Sequence, residues 1–286
     1  MHPTNLKIIV RQVKNDYSSS LKKNRYWYKN DPIVTHFFNA LQATFPEGEK
    51  FFIQAAIDAA DQLTKKGILG NELKEDIDKF IHQEALHSQQ HALWTNALIH
   101  YGYKKMGEYN THMKKIVKWF RKHIPVVMRL AITAAAEHYT ASIAFLFTHI
   151  KSKFLTESLL PFRNLLLYHA MEEIEHKSVC YDLYQCLSGN YFGRMFGFAF
   201  ITLELTLSIY MRYRYLLKKD GIWNKNHRRK IRIYLFGRDG IIKGLLFRIK
   251  SFWNPSFHPW QTDERVMINK VFGKYQAELN IIPFAE

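Results

Sequence analysis

Two Glu-x-x-His pairs constrain this chain more than any other feature. Glu84 with His87 and Glu173 with His176 each lie on a segment of helical period. Glu84 shares a face with Ile77, Phe80, Ile81, Trp94 and Leu98, and Glu173 shares one with Phe162, Leu166, Cys180, Leu183 and Leu187. Both glutamates therefore point toward a core, where an unpartnered carboxylate is expensive and calls for a cation. Composition alone would produce roughly 0.7 such pairs by chance, so the apolar setting carries the inference more than the spacing does. In "YHAMEEIEHKSV", residues 168–179, His169, Glu173 and His176 fall within an arc of roughly 60° on one helix face. Three side chains on such an arc converge on one point.

Pro, Gly and polar clusters separate long stretches of helical period, and no convincing run of alternating strand residues appears. We therefore expect an all-α protein. Helices are expected at 32–43, after a break at "FPEGE" to about 66, then at about 71–101, 110–122, 125–150 and 157–187. Two helices that each carry Glu-x-x-His, with one glutamate from each of two more, form the ligand set of di-metal sites inside four-helix bundles. The expected organisation is an irregular N-terminal arm over 1–30, a di-metal helical bundle over 31–190, and an apolar helix with a basic extension over 191–286.

The two further glutamates follow from their neighbours. "AAAEHYTASIAF" offers Glu137, whose face holds Leu130, Thr133, Ala134, Thr140, Ala141 and Ala144, small residues that leave room for a reactant. In "FPEGEKFF", Glu49 shares a face with Phe52, Ile53, Ala56, Ala60 and Leu63, whereas Glu47 aligns with Phe51, Gln54 and Asp58. The choice is Glu49. The expected metal ligands are Glu49, Glu84, His87, Glu137, His169, Glu173 and His176. His91, seven residues after Glu84, is expected as a supporting residue or lid over the site, or as a hydrogen-bonded interior histidine. His138 points about 100° away from Glu137 and is left out; Glu172 and Glu175 are expected to face water or a neighbouring helix.

The chain carries a formal charge of +16, and 13 Lys/Arg against 2 acids between Arg212 and Lys250 account for +11 of it. In this segment, cations alternate with aromatic and aliphatic residues, which suits an anionic membrane surface better than nucleic acid. "MFGFAFITLELTLSIYM", residues 195–211, holds one charge, Glu204, and is short for a membrane span. The 2 cysteines, Cys180 and Cys186, diverge on one expected helix, so no disulfide and a reducing, cytoplasmic setting are expected. The N-terminus shows no apolar run of signal-peptide length.

The order Glu, Glu-x-x-His, Glu, His-x-x-x-Glu-x-x-His resembles the ferritin-like di-iron oxygenases related to p-aminobenzoate N-oxygenase. That resemblance implies an all-α, ferritin-like four-helix bundle with Glu49, Glu84, His87, Glu137, His169, Glu173 and His176 as iron ligands, His169 being the added histidine. "FPEGE", "HQEALHSQQH", "AAAEHY", "YHAMEEIEHKSVCYD" and "NPSFHPW" are similar to a bacterial family of predicted metal-dependent hydrolases. Three functions follow as expectations. The first is a pair of irons that activates O2 to oxidise a small or lipid-like substrate, with an electron donor. The second is a pair of metals, with manganese or zinc as alternatives to iron, that activates water for hydrolysis. The third is a metal-binding protein without catalysis. The expected location is the cytoplasm, with peripheral attachment at the inner face of the membrane as a variant of it.

Overall fold

The computed structural model describes residues 8–148, 154–237, 240–279 and 281–283. In chain order the elements are β1 (Arg11–Val13), α1 (Tyr17–Lys23), α2 (Pro32–Gln42), α3 (Phe45–Lys65), α4 (Asn71–Tyr101), α5 (Lys105–His123) and α6 (Val126–Thr148). They continue with α7 (Phe154–Glu157), α8 (Phe162–His176), α9 (Val179–Leu187), α10 (Tyr191–Lys219), α11 (Lys225–Phe236), α12 (Ile241–Ile249), α13 (Arg265–Tyr275) and β2 (Ile281–Pro283). The protein is all-α apart from β1 and β2, which pair antiparallel with Gln12 opposite Ile282.

Local chemistry sets several boundaries. Asp31 accepts from the Ile33 and Val34 amides and Pro32 occupies the first turn, a helix start whose free donors are satisfied. α4 stops at Gly102, whose φ of 126° is a conformation that favours glycine. The break before α3 falls at Ala43 and Thr44, so "FPEGE" is the first turn of α3 and not a loop. The single helix expected over 157–187 is two, α8 and α9, with the short α7 ending at Glu157 before them. Pro161 cannot sit in a helix interior, so α8 begins after it. α8 then ends where Lys177 turns to Glu264 Oε2 (2.5 Å) and the Thr262 carbonyl (2.7 Å).

α3, α4, α6 and α8 form the central bundle, with α3 against α4 and α6, and α8 against α4 and α6. α10 lies outside α6 and α2. It approaches α6 at Gly197, where a Cβ would come within 2.7 Å of the Ala131 backbone. Only glycine allows that contact without moving a helix. The outer side of α10 leaves Phe192, Phe196, Leu203, Leu207 and Tyr210 exposed. Among the described residues, two helices are long and apolar enough to cross a membrane, α6 and α10; the apolar stretch of α6 is 78% buried inside the protein and that of α10 is 28% buried.

The first thirty residues, expected as an irregular arm, hold β1 and α1 and send Tyr17, Leu21 and Trp27 into the core. Trp27 stacks on Phe162 (5.0 Å, 19°) and meets Trp94 edge-on (5.4 Å), tying this segment to α4 and α8. Aromatic burial of this size outweighs the cost of ordering the segment. The C-terminal extension also contributes to the core through Phe252, Phe257 and Ile268. Cys180 and Cys186 are both free, the first buried and the second exposed.

One polar cluster joins the two ends of the fold. The Asp220 carboxylate, at the end of α10, accepts from Arg25, from Tyr26 (3.0 Å), from Tyr103 (2.9 Å) and from His36 Nε2 (2.7 Å). Burial and the Arg25 charge lower the His36 pKa to about 3, so the imidazole is neutral and donates through Nε2. Its Nδ1 then accepts from Asn39, whose Oδ1 accepts from Trp27 Nε1 (3.0 Å). Asp220→Ala strands these donors, and we expect a loss of roughly 3 kcal/mol in urea denaturation. An unchanged midpoint would show that the cluster contributes nothing to stability.

Candidate metal centre

Each central helix brings carboxylate or imidazole groups to one place at the middle of the bundle. α3 carries Glu49, α4 carries Glu84, His87 and His91, α6 carries Glu137, and α8 carries His169, Glu173 and His176. All are buried. Glu84 lies at the centre, with Oε1 3.3 Å from both His87 Nδ1 and His176 Nε2. His176 Nε2 is also 3.2 Å from Glu137 Oε2 and 3.5 Å from Glu173 Oε2. His169 Nε2 is 2.5 Å from Glu173 Oε1 and 3.9 Å from Glu49 Oε1. Glu47 instead pairs with Lys50 at the surface (2.7 Å).

Two ligand groups overlap. Donor atoms of Glu49, Glu84 and His87 lie within 4.8 Å of one another, and so do those of Glu84, Glu173 and His176. Glu84 belongs to both, with Glu137 beside the second group. His91 is closer to the site than a lid would be. Its Nε2 is 2.6 Å from His169 Nδ1, and Glu49, His91 and His169 form a further possible ligand group. His138 lies apart and stacks on Phe252 (5.3 Å).

The imidazoles are oriented from outside by residues the sequence reading did not assign. Glu172, expected to face water or a neighbouring helix, is fully buried; its Oε2 accepts from His87 Nε2 at 2.9 Å and its Oε1 accepts from the Arg11 amide at 3.1 Å. This leaves His87 Nδ1 aimed at Glu84. Gln83 Oε1 accepts from His176 Nδ1 (2.8 Å), leaving His176 Nε2 aimed at the carboxylates. Such carboxylate and amide partners set the tautomer of a metal-binding histidine. Glu175 holds Arg11 (2.8 Å) and the Ile9 amide (3.2 Å), which fixes the N-terminal segment over this side of the bundle.

The residues fit metal ions by their electrostatics. Both oxygens of Glu49 and of Glu137, Oε2 of Glu84 and of Glu173, and His176 Nε2 are buried without a hydrogen-bond partner. Leaving so many polar atoms dry is costly unless protons or cations compensate. Burial pushes the Glu49 carboxyl well up from its ordinary value, with Glu84 adding to the effect. Burial and Glu173 push Glu137 up to about 8. Burial disfavours a charge on His87, but Glu172 and Glu84 outweigh it and raise its pKa to about 10. In the absence of metal the cluster therefore holds protons on groups that must ligate without them. Hard carboxylates with neutral imidazoles suit iron, manganese or zinc.

Residues 9–263, most of the chain, match the family model described as predicted metal-dependent hydrolase. The chain belongs to that family. Metal dependence in the predicted metal-dependent hydrolase family accords with the buried Glu/His groups on the four helices. No curated protein and no solved structure matches the chain.

Metal uptake should release protons, because Glu137 and His87 hold theirs at neutral pH in the metal-free protein. Apparent affinity for ferrous or zinc ions should rise as pH increases toward about 8 and fall as pH decreases, measured by calorimetry in buffers of different ionisation enthalpy. Glu84→Ala or His176→Ala should give a folded protein that retains little metal. Unchanged metal content in either variant would remove that residue from the site.

Proposed function

We propose that this chain is a di-iron carboxylate enzyme that uses O2 to oxidise a lipophilic substrate. The observation that carries this reading is an apolar cavity of about 500 Å³ beside the metal centre. Its wall includes Thr44, Phe45, Gly48, Ala136 and Thr140, the neighbours of Glu49 on α3 and of Glu137 on α6. The Phe45 ring lines this cavity and also meets His91 (4.8 Å) and His169 (5.1 Å) edge-on. A substrate in the cavity would thus be one aromatic ring away from the ligand His169 and its neighbour His91.

Glu49, Glu84, His87, Glu137, His169, Glu173 and His176 would hold the two ions. When bound, ferrous iron supplies the electrons and open coordination positions through which O2 reacts with an organic substrate. The protein's own part is positional. Glu172 and Gln83 hold His87 and His176 in the required tautomers. The hydrocarbon wall excludes water and orients an apolar substrate. Repeated turnover also needs an electron donor as partner. Zinc or manganese in place of iron defines the second reading, hydrolysis by metal-activated water, which the family's description favours. Hydrolysis further requires donors for a developing oxyanion and an acid for the leaving group. Near the metal centre the cavity wall offers the hydroxyls of Thr44, Thr140 and Tyr139, and all three are engaged, Thr44 with the Leu41 carbonyl (2.7 Å), Thr140 with the Glu137 carbonyl (3.0 Å) and Tyr139 with Thr202 (2.8 Å).

Protein purified without chelator should hold about two irons per chain, and the anaerobically reduced form should consume O2 with a change in its near-ultraviolet and visible absorption. Zinc or manganese with no response to O2, together with turnover of long-chain esters, would overturn oxidation in favour of hydrolysis. A protein that binds no metal would overturn both.

We also propose an anionic membrane surface as a partner. The exposed row on α10 together with the cations of α11 and α12 supports this. Phe196→Ser with Leu203→Ser should reduce co-sedimentation with vesicles containing anionic lipid severalfold. Equal recovery of both proteins would exclude the α10 face as the contact.

A further inference from the structure

The cavity wall combines two kinds of chemistry. Part of it is formed by Phe45 and the small residues beside the metal centre. Arg228 and Arg232 of α11 also line it. Four residues apart, they share one side of that helix, and both are exposed, which places them at the rim. Between them, Ile231 is buried against the hydrophobic core, and Leu235, one turn on, also lines the cavity. The intervening wall is hydrocarbon, with Phe51, Phe52, Phe120, Ile143, Leu146 and Phe200 among its members.

Among the described residues neither arginine forms an ion pair with a carboxylate, although most of the arginines packed against the rest of the fold do: Arg11 with Glu175, Arg129 with Asp58, Arg163 with Glu278 and Arg248 with Glu264. The acid on the cavity wall, Glu204 of α10, lies near Arg212 and Ser208, and burial pushes its carboxyl above the ordinary range. Among the described residues, two like charges therefore stand side by side at the mouth of an apolar cavity with no carboxylate in ion-pair contact. A guanidinium presents a planar fork of donors that matches the oxygens of a carboxylate or phosphate. The cavity volume falls within the range of small-molecule sites, roughly 300–1,000 Å³.

We propose that the cavity binds a long-chain amphiphile with one anionic head, the head held by Arg228 and Arg232 and the chain lying along the hydrocarbon wall toward Phe45. The head-out, chain-in orientation then presents carbons far from the head to the metal centre. That last consequence rests on the oxidation reading; the binding does not. A carboxylate head would come from a free fatty acid and a phosphate head from a lipid phosphate, and the two share the same recognition chemistry.

The test is binding of hexadecanoate, hexadecyl phosphate and neutral hexadecanol to the full-length protein, below their aggregation concentrations, by displacement of a fluorescent apolar probe. Either anionic ligand should bind at least tenfold more tightly than hexadecanol. The stronger of the two identifies the head group. Arg228→Gln with Arg232→Gln should erase that difference while leaving hexadecanol binding unchanged, and Arg228→Lys with Arg232→Lys should restore part of it. Equal affinity for the anionic and neutral ligands in the native protein would overturn the proposal, as would an anionic preference that survives the double glutamine variant. Unaltered hexadecanol binding also serves as the control for folding. Because the measurement needs neither metal nor O2, intact head-group selectivity with no O2-dependent product would reject the oxidation reading alone.

Discussion

Four carboxylates buried at the centre of the bundle are the constraint on which the rest of the structure depends. Glu49, Glu84, Glu137 and Glu173 come from four different helices and repel one another across a few ångströms. Buried like charges of this kind push protons onto some members, as they do for Glu49 and Glu137, or demand cations. Glu173 responds in the opposite way. Burial would raise its pKa, but His169 and His176 hold it well below the ordinary carboxylate range. His87 and His176, whose pKa values the carboxylates raise, thus neutralise part of the cluster, and the unpartnered oxygens of Glu49 and Glu137 measure what remains.

The surrounding fold keeps this arrangement rigid. Arg11 spans Glu172 and Glu175 from the N-terminal segment, so β1 and α1 support the outer hydrogen bond to His87. The Trp27, Trp94 and Phe162 packing holds the same segment against α4 and α8. At the other end, Asp220 gathers donors from residues 25, 26, 36 and 103. These contacts join elements far apart in sequence, and each fixes a helix that carries a ligand or packs against one that does.

Periodicity made much of this legible. The bounds of α4 and the inward faces of Glu49, Glu84, Glu137 and Glu173 follow from apolar residues three and four positions away. What periodicity does not encode is the partner on another helix. Glu172 looked like one more charged residue beside Glu173, yet its burial depends on Arg11, 161 positions away. The 2.6 Å approach of His91 to His169 likewise depends on how α4 meets α8. The interruption after His176 reflects Lys177 reaching Glu264, a contact that spans 87 residues. Trp27 had no visible partners until α4 and α8 were in place. Pro161 is the exception, since its restriction on helix interiors is local.

The first turn of α3 ties two roles together. The chain breaks at Ala43 and Thr44, and the turn that follows sends Phe45 against the two histidines and into the cavity wall, with Glu49 one turn further on. Residues spaced by four on a helix lie one above the other and share a backbone that moves as a unit. The cavity wall and the Glu/His cluster are therefore parts of one lever. A molecule that presses on the Phe45 ring acts on the same rigid segment that presents the Glu49 carboxylate to the buried Glu/His cluster, so filling the cavity and adjusting that cluster are mechanically a single event.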